Sequence, residues 1–134
     1  MSVTVSPTAI ALLALMKLKG YGRRSALKIV DRPLGETDLS GCREAFVSRV
    51  SRSHQAHVST SELLDAWTRS EDQLNQSQEA GIQAFSFHDG GYPKRLRKIP
   101  DPPAVLFVKG KPDGLHATRS LAIVGTREPT LYGE

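Results

Sequence analysis

Apolar residues recur at helical spacing up to Ala80, and beyond it they alternate or cluster as strand residues do. Ser6 followed by Pro7 predicts the start of the first helix. A serine oxygen accepts from a free amide there, and proline lacks only a donor that would go unpaired. Ile10, Leu13, Ala14 and the stem of Lys17 follow on one face, with Leu12, Leu15 and Leu18 widening it. Asp31 to Gly41 is dense in turn formers and reads as a loop. A short helix follows it, with Ser40 as a possible cap and Ala45, Phe46, Val47 and Val50 as apolar positions. Residues 51–57 read as a polar joint. Ser59 with Glu62 then forms a capping box that opens a long helix. Its stripe is Leu63, Trp67, Leu74 and Ala80, with Leu64 beside it and Trp67 as a core anchor. Gly81 suits the position just past the helix end.

Ile82 to Phe87 alternates like a half-buried strand, and this change of period sets a boundary between a helical domain, residues 1–80, and a second unit, residues 81–134. Two later runs, Ala104 to Val108 and Leu121 to Val124, are short, rich in branched side chains and free of internal charge. Such runs read as strands covered on both faces, which belong to parallel or mixed sheets flanked by helices. The expected fold class is therefore α/β, with an all-α portion first. His88-Asp89-Gly90-Gly91 turns the chain, Pro93 starts a short helix, and Asp101-Pro102-Pro103 stiffens the lead-in to the strand after it.

Charge narrows the function. A net charge of +4 and a pI near 9.5 favour a polyanionic partner. The densest basic patch is Lys94, Arg95, Arg97 and Lys98, which is either a solvated helix face or the lining of an approach to DNA. Earlier, Leu18 to Ile29 resembles the helix-hairpin-helix motif, with Gly20 and Gly22 framing a tight turn and Ala26 allowing close packing. Arg23 and Arg24, with Lys19 and Lys28 nearby, put charge beside that turn as possible phosphate contacts; the alternative is a packing or protein-contact hairpin. At the far end, the run Leu121 to Val124 empties into Gly125-Thr126-Arg127. A glycine admits backbone donors, a hydroxyl adds another, and a guanidinium grips phosphate bidentately. Glu128 directly after Arg127 opposes an anion there by like-charge repulsion.

Other chemistry is weakly represented. Cys42 stands alone, so no intrachain disulfide can form, and a thiolate zinc site has too few ligands. His54 and His57 lack a third ligand and read as part of a surface joint; no metal or cofactor is expected. No paired carboxylates or Ser/His/Asp order stands out, so the chain does not read as an enzyme. No apolar run approaches the ~20 residues that span a bilayer. The N-terminal run lacks the leading basic segment and small-residue cleavage site of a signal peptide, so the expected location is cytoplasmic.

Tyr92-Pro93, Leu96, Ile99, Asp101-Pro102-Pro103, Val105-Leu106, Gly110, Ala122 to Arg127 and Tyr132-Gly133 together resemble the DNA-processing family DprA, also called Smf. The order and spacing are long and irregular, and they cover about a third of the chain. The resemblance implies a helix-hairpin-helix or SAM-like helical domain followed by an extended Rossmann-like domain. It also implies binding of single-stranded DNA, loading of a RecA-type recombinase during natural transformation, and a homodimer in the intact protein. By the same resemblance Arg127 contacts a phosphate, with Gly125 and Thr126 lining the pocket. A Rossmann-like sheet would need a crossover helix after Gly133, so the chain is expected to be a fragment that binds DNA weakly or not at all on its own. Two other classes compete: a nucleotide-processing enzyme of the lysine-decarboxylase-like Rossmann group, and a stand-alone helix-hairpin-helix interaction module.

Overall fold

The helix α1 (Pro7–Lys17) lies at the centre of the molecule. The computed structural model describes residues 5–34, 38–53 and 58–110. Ser6 Oγ accepts from the Ala9 amide at 3.2 Å and so fixes where α1 starts. Thr8 to Leu12, Ala14 and Leu15 are all buried, which is far more than one stripe. A helix that is apolar all round belongs inside a core, whereas a striped one lies on its surface. The expected face was centred too narrowly, since Leu13 is only partly buried while Ala9 and Ala11 are fully enclosed.

Every longer element packs on α1. These are α2 (Arg23–Ile29), α3 (Leu39–Arg52), α4 (Thr60–Glu79) and the strands β1 (Ile82–Ser86) and β2 (Val105–Lys109). Thr8 Oγ1, inside the core, accepts from the Leu34 amide at 3.2 Å. Arg49 donates to the carbonyls of Arg32 (2.8 Å) and Pro33 (3.1 Å). These bonds fasten residues 32–34, just after α2, to α1 and α3. The α3 helix differs from its sequence expectation. It is 14 residues long and is capped by Asp38, whose Oδ1 accepts from the Gly41 amide at 2.7 Å. Asp38 supplies a short acceptor two positions earlier than Ser40, and the packing of Phe46 and Val50 holds Gly41 in the first turn despite its poor helix propensity.

The long helix α4 starts as read. Ser59 Oγ accepts from the Glu62 amide at 3.3 Å, and Gly81 follows the last turn at φ +80°. Its buried stripe is Leu63, Ala66, Trp67, Ser70 and Leu74. Ala80 is exposed at the C-cap, so the stripe ends a turn earlier than the spacing suggested. Trp67 packs on Phe46 of α3 with ring centroids 5.3 Å apart, a tilted pairing that anchors the helical core.

The strands form an antiparallel pair, Ile82 opposite Lys109 through Ser86 opposite Val105. The chain is thus mixed α and β, with its sheet packed on the helices. The partner of β2 among the described residues is antiparallel, which a mixed sheet allows, but Phe107 is 42% exposed, against the expected cover on both faces. A continuous apolar run reports that a strand is sticky on both faces, not that both faces are covered. The second apolar run, Leu121 to Val124, lies outside the described residues.

Candidate nucleic-acid interface

The segment joining the strands carries the basic patch, and its shape is set by four contacts. Ser86 is fully buried at the end of β1, and its amide donates to Asp89 Oδ2 at 2.7 Å. The Asp89 carbonyl accepts from the Tyr92 amide at 3.1 Å, which folds residues 86–92 into a tight turn. Gly91 lies flat on the Phe85 ring, where a Cβ would stand 2.5 Å from Cδ1 and nearer still to Cε1. Tyr92 is fully buried and donates its hydroxyl to the Pro103 carbonyl at 2.7 Å. Burial raises its phenol pKa, with the Arg97 charge opposing. The turn is thereby tied to the stretch that leads into β2.

The short helix α5 (Lys94–Arg97) follows Pro93. Its cations divide. Lys94, Arg95 and Lys98 are exposed. Arg97 turns inward instead, donating from Nε to the Phe87 carbonyl at 2.8 Å and from Nη2 to the Asp89 carbonyl at 2.5 Å. Its guanidinium also lies 5.5 Å from the Tyr92 ring centroid and 5.9 Å from that of Phe87. Arg97 therefore braces the turn that presents its three basic neighbours.

The hairpin arginines are likewise engaged. Gly20 has φ +90°, a conformation open to glycine at little cost, and Gly22 is the N-cap of α2. Arg23 forks onto Asp101, with Nε to Oδ1 at 2.8 Å and Nη2 to Oδ2. Arg24 Nε reaches the same Oδ1 at 3.3 Å. Arg23's hydrogen bond is the main cause that holds the Asp101 carboxyl down at about 2, and Arg24 adds to it. At the other end of α2, His88 Nε2 lies 2.7 Å from the carbonyl of Val30, the C-cap residue. The helix is thus fastened at both ends to the segment, residues 88–101, that carries the basic patch.

Sequence reasoning missed Asp101 as the partner of Arg23 and Arg24. Their separation along the chain is 78 and 77 residues, so no local pattern could announce it. Gly125, Thr126 and Arg127 lie outside the described residues, as do His54 and His57. No group of three or more metal-ligating side chains is assembled among the described residues, and no described helix is long and apolar enough to cross a membrane.

Residues 83–134 match the family described as DNA recombination-mediator protein A. This part of the chain is similar to DprA. The DNA processing protein DprA of Bacillus subtilis (strain 168) is 48% identical over 56 residues. That stretch is 42% of this chain and 19% of the relative, so the chain spans about a fifth of the DprA it matches. No solved structure matches the chain significantly. The DprA match takes in β1, the braced turn, α5, Asp101 and β2, and it continues through Arg127.

Proposed function

We propose that this chain handles single-stranded DNA in the manner of DprA, assisting a RecA-type recombinase to load during DNA uptake and natural transformation. In this reading residues 1–80 are a helix-hairpin-helix or SAM-like domain and residues 81–134 open an extended Rossmann-like domain. The role is binding rather than catalysis, it is exercised in the cytoplasm, and the intact protein pairs with a second copy. The observation that carries the reading is the family match over residues 83–134. The exposed cations of α5 give it a physical basis, since phosphate neutralisation supplies most of the affinity for a nucleic-acid strand. Arg127 is the central phosphate ligand in this proposal, with Gly125 and Thr126 beside it and Lys94, Arg95 and Lys98 on the approach.

The test is fluorescence anisotropy with labelled single- and double-stranded oligonucleotides at two salt concentrations. Single strands are expected to bind more tightly, and affinity should fall steeply with salt, by a log–log slope of about 0.7 per phosphate contact. Arg127→Ala should weaken binding by about 1.5–3 kcal/mol, the scale of a charge-assisted hydrogen bond. A flat salt response together with an indifferent Arg127→Ala variant would sink the reading.

A further inference from the structure

We propose that Arg23 and Arg24 form a phosphate site, and that Asp101 fills it as an internal stand-in which a nucleic-acid strand displaces. The proposal rests on the nucleic-acid reading above. Its basis is the geometry of the clasp. One carboxylate faces two guanidiniums, and its two oxygens take the Nε edges of both arginines plus one Nη of Arg23. A phosphodiester presents a similar pair of anionic oxygens and is gripped in the same forked manner. The arginine side chains stay 51% and 74% exposed, so an incoming strand reaches them without any rearrangement of the core.

The closed arrangement is weakly held. An exposed ion pair biases an equilibrium by no more than about five-fold, which a strand making several phosphate contacts overcomes. Release also leaves the backbone where it is. Asp101 precedes Pro102 and is confined to extended conformations, and Tyr92 anchors the Pro103 carbonyl. Only the Asp101 side chain has to swing. Lys98, three residues before Asp101 in the chain, is exposed as well.

The experiment compares the wild-type chain with Asp101→Asn, using a labelled oligothymidylate across a salt series. Asp72→Asn, an exposed change on α4, matches the added charge while leaving the clasp intact. Asp101→Asn is expected to tighten binding about three- to five-fold, the bias the clasp imposes, with little change in salt slope, because a wild-type chain whose Asp101 has been displaced makes the same phosphate contacts. Asp72→Asn should leave the affinity unchanged, and adding Arg23→Gln and Arg24→Gln should abolish the gain. Wild-type binding with an unchanged Asp101→Asn variant overturns this proposal and spares the function above. Binding by neither protein at low salt overturns this proposal, while the function above then stands or falls on the intact protein. Equal tightening by Asp72→Asn reduces the effect to net charge and also overturns the site. If Asp101→Asn fails to fold, the arginine Nε–H resonances of the wild-type chain decide. Movement of Arg23 and Arg24 on adding the oligonucleotide supports displacement, and unmoved signals refute it.

Discussion

Alanine at position 91 tests the packing that shapes the turn ahead of α5. The backbone at Gly91 is not in the left-handed region, so any cost of Gly91→Ala is steric. The added methyl would lie 2.5 Å from Phe85 Cδ1 and 3.1 Å from Cζ, inside the distance at which real side chains meet. Phe85 is held in β1 opposite Leu106, so its ring can yield only by leaving a staggered rotamer or by pushing the turn outward. Overpacking of this kind costs about 1–3 kcal/mol. With about 2.1 cal/mol/K of unfolding entropy per residue over 134 residues, Tm should fall by roughly 4–11 °C. The assay is thermal and urea unfolding followed by circular dichroism, on the single variant and in a Phe85→Leu background. The flexible leucine should relieve the overlap, leaving a penalty for Gly91→Ala of under ~0.5 kcal/mol there. A neutral Gly91→Ala, or an equal penalty in both backgrounds, would show that the ring does not lie over position 91.

Two further outcomes follow from the same region. Tyr92→Phe removes the hydroxyl that satisfies the Pro103 carbonyl while keeping the ring, and should cost about 1–2 kcal/mol in urea unfolding; a variant as stable as wild type would remove that bond from the account. The carboxyl of Asp101 is depressed from 3.8 to about 2 in the folded chain, so it contributes stability above pH 3.8 that is lost as pH falls through about 2. Urea midpoints of wild type and Asp101→Asn should therefore differ at pH 5 and converge near pH 2, whereas a gap that persists unchanged at pH 2 would contradict the ion pair.

Local signals in the sequence proved durable and long-range ones did not. Ser6, Ser59 and Gly81 mark helix ends because a cap is satisfied within three or four residues of itself. Leu13 and Ala80 were misjudged because a helix face is defined by what lies against it, and for α1 that is nearly everything. The antiparallel partner of β2 was hidden for a similar reason: its lead-in and register are set by the turn at residues 86–92, whose bonds run between Ser86, Asp89 and Tyr92. The basic residues show the limit most clearly. Composition marks Arg23, Arg24 and Arg97 as candidates for phosphate, yet Asp101 and the carbonyls of Phe87 and Asp89 hold them, partners that no charge count reveals.

The enclosure of α1 bears on how the protein is made. Ala104 and Val105, which help close the core around it, are translated some ninety residues after Lys17. At about 5–20 residues per second, a ribosome delivers them on the order of ten seconds later. For that interval α2, α3 and α4 can already cover much of α1, but the edge that the strands close stays open to any apolar surface it meets. Nascent copies should therefore be chaperone clients until β2 emerges, and a stall in synthesis before Ala104 should leave aggregates rather than a stable stub.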